Sequence, residues 1–240
     1  MATFLGAAVP ALLIILVGIF WWIPAVEQTY AQKLNVPRPE APSRSRRLLD
    51  LLCASFAALG LVAVGAQGGS LILLTAMALV WIALHGACVV DVRWQIIPDR
   101  FHVLGLFGLA GLLWERLSLL RASVGDSGAL PELASFVIPG LAPAAFLWVL
   151  TVAYERVRQR PGLGRGDLKL LAWLGPAVGP ESVTVILVAS LAAGFFLLAR
   201  ASVSSGGRSV QRGETSDEPV TFPFAPWISV GFVVAALVGA

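Results

Sequence analysis

Long apolar runs separated by short polar stretches make up most of this 240-residue chain. Most of the runs reach the roughly 20 residues that a helix needs to cross a hydrocarbon core of about 30 Å. The pattern predicts an all-α fold, a polytopic transmembrane helix bundle of about eight segments that forms a single integral membrane domain over residues 1–240. The predicted segments are 3–26, 48–67, 71–90, 101–119, 133–154, 168–179, 181–199 and 219–240.

The composition supports a membrane protein. The chain is 58% hydrophobic and only 13% charged, and its mean hydropathy is +0.83. A soluble domain of this length rarely carries so much apolar content. Segment 168–179 is too short to span unless it begins within the membrane edge, so we expect it to start at the interface.

The basic residues are concentrated in alternate loops. Loops 27–47, 91–100, 155–169 and 200–218 hold 15 of the 17 lysines and arginines. Because cytoplasmic loops carry the excess of basic residues, these loops are predicted to face the cytoplasm, with 27–47 as a short linker. Basic loops beside anionic lipid also account for the pI of about 9.3. We therefore expect the lipid bilayer as a partner and no nucleic acid.

Metal-binding residues are not grouped in the sequence. Cys53 and Cys88 both lie inside apolar runs and form no Cys-x-x-Cys pair. His85 and His102 have no His, Cys or Glu around them at ligand spacing. All four are expected to be core or interface residues, so neither a metal nor a cofactor is predicted.

One acidic residue stands where a glycine-rich turn enters an apolar run. Gly162, Gly164 and Gly166 precede Asp167, and an apolar stretch follows it. An acid at the edge of a membrane segment marks a functional site by default. The glycines permit close approach of another backbone, which suits a peptide substrate.

A second acid, Asp91, ends the third predicted segment at the face where Asp167 begins the sixth. Two carboxyl groups within a few Å cannot both ionise cheaply, so such a pair shares one proton and titrates as a unit. The pair can activate a water as base and protonate a leaving amine as acid. The chemistry that this arrangement offers is amide hydrolysis without metal.

Each acid also has a simpler interpretation. Asp91 can pair with Arg93 or Arg100 at the interface, and Asp167 can be a helix N-terminal carboxylate that the helix dipole favours. Pro98-Asp99 is a common turn in which Asp99 caps or orients the chain. Lys169 can pair with Asp99 or a lipid phosphate, or lie as a snorkelling surface lysine.

Two motifs together resemble those of the type IV prepilin peptidase family, membrane aspartic proteases of the Gly-x-Gly-Asp type. The first is Asp91, six residues and then Pro98-Asp99, with Ile96-Ile97 before the proline. The second is Gly164-Arg165-Gly166-Asp167-Leu168-Lys169-Leu170. A third likeness is the turn Phe222-Pro223-Phe224-Ala225-Pro226 before the last segment.

The resemblance implies an aspartic endopeptidase of the bacterial cytoplasmic membrane. Such an enzyme removes the leader from a type IV prepilin or pseudopilin-like substrate, cutting after a glycine at the cytoplasmic face. Asp91 and Asp167 match the catalytic pair of the family. Supporting or substrate-binding roles fall to the rest of the two motifs, namely Pro98, Asp99, Gly164, Gly166 and Lys169.

The chain resembles a short form of that family. Many members methylate the new amino terminus through a segment between the first two helices that holds two Cys-x-x-Cys pairs. Here the corresponding interval has no cysteine. Peptidase activity is therefore expected without support for methyltransferase activity, and 71–240 is predicted to be the peptidase core.

Two other functions are compatible with a pair of membrane acids. Presenilins and signal-peptide peptidases also use a Gly-x-Gly-Asp aspartate, but they need Tyr-Asp and Pro-Ala-Leu, whereas Val90 precedes Asp91 here. A proton-coupled transporter or assembly factor needs acids near mid-membrane and often an internal repeat. No repeat is evident in the sequence, and both acids are predicted at one edge of the membrane.

Overall fold

The computed structural model describes residues 2–33, 70–159, 162–204 and 223–238. Within these ranges the chain forms helices joined by short turns, and the all-α fold is confirmed. The predicted segment 48–67 with Cys53, the basic stretch 34–47 and most of loop 200–218 lie outside the described residues. The elements are α1 (Ala2–Val17), a π-helical turn (Gly18–Trp22), α2 (Ile23–Lys33), α3 (Leu71–Trp94), α4 (Asp99–Arg158), α5 (Arg165–Val178), a 3-10 turn (Gly179–Glu181), α6 (Ser182–Ser204) and α7 (Ala225–Val238).

The first three elements form one continuous helical run that extends beyond its predicted end at residue 26. Residues 27–33, assigned above to the linker, belong to α2. These residues stay helical although most of them are polar. Glu27, the first of them, is buried and forms an ion pair with Arg93 of α3. Gly18 in the π-helical turn lies against Ile82 of α3, where a Cβ would come within 2.6 Å of the isoleucine side chain.

Helix α4 replaces the loop predicted between segments 101–119 and 133–154. The only non-helical backbone inside it is at Gly125, with φ 78° and ψ 172°. A left-handed φ is easily adopted by glycine, so one residue makes the bend. The prediction of a loop is wrong because residues on both sides of Gly125, Pro131 included, are helical.

The two arms of α4, 99–124 and 126–158, turn back on each other at Gly125. The guanidinium of Arg116 in the first arm lies 3.5 Å from the ring centroid of Phe136 in the second. A straight helix of 60 residues would be about 90 Å long, three times the hydrocarbon thickness. The bend gives two crossings instead of one helix that leaves the membrane.

Helix α5 packs between both arms of α4 through close glycine contacts. A Cβ on Gly105 would lie 2.5 Å from the ring of Trp173, and one on Gly175 would lie 2.1 Å from the carbonyl oxygen of Gly140. Trp173 itself is only 2% exposed. Small residues at helix crossings let backbones approach closely in a membrane. Helix α5 is therefore held on two sides, which fixes the position of its first turn.

Four helical runs of the described residues are long and apolar enough to cross a membrane. A fifth apolar helix, Ala225–Ala235, is shorter. The run Arg165–Leu198 is broken by the 3-10 turn, where Gly179 has φ 64°. The number of eight segments stays a prediction, because segment 48–67 lies outside the described ranges. The four runs are Pro10–Lys33, Leu71–Trp94, Asp99–Arg158 and Arg165–Leu198.

Candidate active site

Asp91 lies in the last turn of α3 and is almost fully buried, with 4% of the residue exposed. The helix ends at Trp94, and Gln95 follows in the left-handed conformation with φ 54°. Oδ2 of Asp91 accepts a hydrogen bond from the backbone N–H of Ala225 at 3.0 Å. The N–H of Phe224 lies near the same carboxylate. A buried carboxylate that accepts from a backbone donor is held in orientation.

The segment after Asp91 turns the chain into α4. Pro98 has extended backbone and precedes the first helical residue, Asp99. The carbonyl oxygen of Pro98 accepts from the N–H of Phe101 at 3.0 Å. Ile97 is buried beneath this turn. The Pro98-Asp99 pair thus begins a helix in which Pro98 is the N-cap residue and Asp99 is the first helical residue, without a side-chain capping bond.

Asp167 lies in the first turn of α5, which begins at Arg165 and not at residue 168. Gly164 is the N-cap residue, and its carbonyl oxygen accepts from the N–H of Leu168 at 3.1 Å. Oδ1 of Asp167 is buried and finds no hydrogen-bond partner among the described residues. A buried acceptor without a donor is costly, so this oxygen is available to a water or a substrate group.

The fold brings the two motifs together. Asp167 lies within range of the negative charge of Asp91. Nζ of Lys169 lies 2.6 Å from Oδ1 of Asp99, which ties the start of α5 to the start of α4. Gly166 faces Ile97, where an added Cβ would come within 3.1 Å of the isoleucine Cβ. The two segments that carry the acids are therefore in contact with each other.

The glycine before Asp167 leaves room for its carboxylate. A Cβ on Gly164 would lie 2.8 Å from Oδ2 of Asp167. Its φ of −55° is available to any residue. Gly164 is thus needed for the space beside the acid and not for an unusual backbone conformation.

The simple pairing of Asp91 with Arg93 is wrong. Arg93 instead donates to Oε1 of Glu27 at 3.0 Å, and Glu27 is buried. Glu27 was missed from the sequence because it lies in a polar stretch, where no local pattern distinguishes a buried glutamate from a solvated one. Of the two interpretations of Lys169 that involve a partner, the structure shows the ion pair with Asp99.

A second polar contact lies behind the site. Nε1 of Trp173 donates to Nδ1 of His102 at 3.4 Å. Because Nδ1 accepts, the neutral ring carries its proton on Nε2, which is buried and has no partner in the described part of the chain. His102 is therefore a buried residue, as expected. In the same part of the chain no three His, Cys, Asp or Glu residues are grouped as a metal site.

A sequence model of the type IV leader peptidase family matches residues 77–199, more than half of the chain and both acidic motifs. The chain belongs to the type IV leader peptidase family. Its helical runs make it an integral membrane protein of that family. The likeness found in the sequence is thereby confirmed at the level of the family.

Similar proteins are named prepilin leader peptidase/N-methyltransferase. The one from Aeromonas hydrophila is 27% identical over 201 residues, which cover 83% of this chain and 61% of the relative. The one from Escherichia coli (strain K12) is 30% identical over 146 residues, covering 61% and 55%. The one from Pectobacterium carotovorum subsp. carotovorum is 26% identical over 234 residues, covering 89% and 74%.

The chain spans less than two thirds of the Aeromonas hydrophila and Escherichia coli relatives, at 61% and 55% of their lengths. No solved structure matches the chain. The comparisons therefore establish the family of this chain.

Proposed function

We propose that this protein is a membrane aspartic endopeptidase that removes the leader from type IV prepilins or pseudopilin-like subunits. The observation that carries the proposal is that Asp167 lies within range of the charge of Asp91, although the two come from separate motifs. Membership of the type IV leader peptidase family supports the choice of substrate. The names of the relatives support it as well.

The two acids are suited to activate one water. The carboxylate of one aspartate takes a proton from the water while the oxygen of that water attacks the carbonyl carbon of the scissile amide. The carboxyl group of the other gives its proton to the nitrogen as the C–N bond breaks. The products are a carboxylic acid on the leader and a free amine on the mature subunit, and the acid then loses its proton to the amine or to water. The dyad ends with one shared proton, as it began.

The basic residues around the site support a cytoplasmic position. Two arginines lie near the turn that follows Asp91, namely Arg93 and Arg100. Three basic residues lie near Asp167 in sequence, namely Arg158, Arg165 and Lys169. Basic residues next to membrane segments favour the cytoplasmic side. The proposal therefore places the dyad at the cytoplasmic face of the inner membrane. The polar leader of a substrate enters the site there, and the peptide bond after the glycine of the leader is cut.

The proposal covers the peptidase reaction, with residues 71–240 as the peptidase core. The relatives' names include a methyltransferase activity, but the chain has only two cysteines, Cys53 and Cys88, and no Cys-x-x-Cys pair. Of these, Cys88 lies within the described residues, and its thiol contacts Ser229. Methylation is therefore not extended to this chain.

Cleavage of a purified prepilin in liposomes tests the proposed function. The wild-type protein is expected to remove the leader, seen as a mass change of the substrate. Asp91→Asn and Asp167→Asn are each expected to slow cleavage by about 1,000-fold or more, since each removes a group that carries a proton in the reaction. Asp126→Asn is the matched control, because Asp126 is exposed and pairs only with Arg121 across 3.4 Å in the structure.

Two results would contradict the proposal. Removal of the leader at the wild-type rate by either Asp91→Asn or Asp167→Asn would exclude the dyad mechanism. Proton uptake into the liposomes by the wild type, without any cleavage, would favour the proton-coupled transporter.

A further inference from the structure

The last described helix begins against the carboxylate of Asp91. Ala225 is fully buried, and its N–H donates to Oδ2 of Asp91 although 134 residues separate the two in sequence. The N–H of Phe224 lies near the same carboxylate. The first turn of a helix has N–H groups without partners inside the helix. Here the N–H of Ala225 is such a group, and it holds an acidic side chain of another helix.

The local sequence leaves only these two donors at the start of α7. The N–H groups of Trp227 and Ile228 both donate to the carbonyl oxygen of Phe224, at 3.0 and 3.2 Å. Pro226 has no N–H to offer, and neither does the proline at position 223. The turn Pro-Phe-Ala-Pro thus presents two neighbouring amides and no competing ones.

A second contact fixes α7 along α3. Oγ of Ser229 donates to the carbonyl oxygen of Ala225 at 3.0 Å. Sγ of Cys88 lies 2.7 Å from Oγ of Ser229. Either the thiol or the hydroxyl can donate in this contact. Cys88 lies one turn before Asp91 and Ser229 one turn after Ala225, so two successive contacts join the same faces of the two helices.

We propose that the first turn of α7 is a positioning element for Asp91, and that Ser229 and Cys88 are positioning residues for it. Their contact keeps α7 in register with α3, so that the amide of Ala225 stays bonded to the carboxylate and the amide of Phe224 stays near it. The close packing of Gly231 on Val185 of α6, where a Cβ would lie 2.2 Å from a carbonyl oxygen, supports the helix from its other side. The catalytic consequence rests on the proposed function, whereas the hydrogen bonds do not.

Amide hydrogen exchange tests the cap directly. Residues 223–226 contain two prolines and hence only the amides of Phe224 and Ala225. In the full-length protein in detergent, Asp91→Ala is expected to speed exchange of these amides by about tenfold or more, because it removes the carboxylate that the two N–H groups face. Asp91→Asn keeps a side-chain oxygen and is expected to give an intermediate rate. Asp126→Ala is the control, and equal exchange in wild type and Asp91→Ala would overturn the proposal.

Activity variants test the two positioning residues. Ser229→Ala and Cys88→Ala are each expected to lower kcat for the prepilin by about five- to thirtyfold, with KM within about twofold. Cys88→Ser keeps a polar hydrogen at this position and is expected to have a kcat close to that of the wild type. Ser118→Ala is the matched control, because its hydroxyl makes the same bond to the residue one turn earlier, Trp114, at 2.9 Å on an exposed helix surface.

The two proposals fail in different ways. A wild-type protein that does not cut prepilins would end the proposed function, while the exchange measurement would still decide the cap. A wild type that cuts prepilins, together with Ser229→Ala and Cys88→Ala variants of undiminished kcat, would overturn the positioning role alone.

Discussion

Asp167 depends on a glycine next to it in the chain. A Cβ at Gly164 would lie 2.8 Å from Oδ2 of Asp167, closer than real carbon contacts allow. The backbone of Gly164 itself is unstrained. A methyl group there would therefore move the carboxylate without changing the fold, and small displacements of a reacting group are costly for catalysis.

The variant Gly164→Ala is expected to lower kcat by about tenfold or more, with thermal stability in detergent close to that of the wild type. Gly194→Ala is the control, because a Cβ at Gly194 meets nothing within 4 Å. Rates of leader removal and melting temperatures of both variants check this prediction. A Gly164→Ala protein as active as the wild type would show that the acid does not need this space.

At the scale of residues the sequence identified the acids but not the groups that hold them. Asp91 and Asp167 stand out because charged side chains at the ends of apolar runs are rare. The donors of Asp91 are backbone N–H groups, which every residue except proline possesses. The turn at residues 222–226 was noticed, but its contact with Asp91 depends on how two helices distant in sequence pack. Residue types alone could not have predicted that contact.

At the scale of elements, the starts of α4, α5 and α7 and the end of α3 converge on the site. The start of α4 is joined to the start of α5 by the ion pair of Asp99 and Lys169, at 2.6 Å. Both side chains are largely exposed, so the pair contributes little to stability. We expect the ion pair to help fix the position of Asp167, which lies two residues before Lys169.

Reversing one charge of this pair tests its role. Lys169→Glu is expected to lower kcat about three- to tenfold, because two like charges then separate the helix starts. The double variant Asp99→Lys with Lys169→Glu restores the attraction and is expected to return kcat to within about threefold of wild type. The same exchange at the exposed pair Arg121 and Asp126 is the control. A double variant no better than the single one would show that the ion pair does not position the site.

The elements were predicted from apolar run length, and their errors have one cause. Glycine and proline in a polar stretch indicated a loop around Gly125 and Pro131, yet only Gly125 leaves the helix. Likewise, α5 begins at Arg165 because Gly164 serves as its N-cap. Hydropathy cannot mark such ends, since helices continue past apolar runs wherever polar side chains find partners. Glu27 with Arg93 is one such case.

At the scale of the whole molecule, the fold class and membrane character followed from composition. Which helices pack against each other could not be predicted from composition. Apolar faces that contact lipid and apolar faces that contact other helices have the same composition. The close glycine crossing of Gly140 and Gly175 and the bend at Gly125 are what bring distant segments to one site. Both depend on the absence of a side chain, which hydropathy does not record.

The central claim is that Asp91 and Asp167 act as one unit on one water. A substrate analogue in which a hydroxyethylene group replaces the scissile amide tests it most directly, because its hydroxyl occupies the place of the attacking water. The wild type is expected to bind this analogue at least about 100-fold more tightly than Asp91→Asn or Asp167→Asn does. The mature subunit, which none of the three proteins cuts, is expected to bind all of them within about threefold of each other. Equal affinity of the analogue for the wild type and both variants would contradict the account.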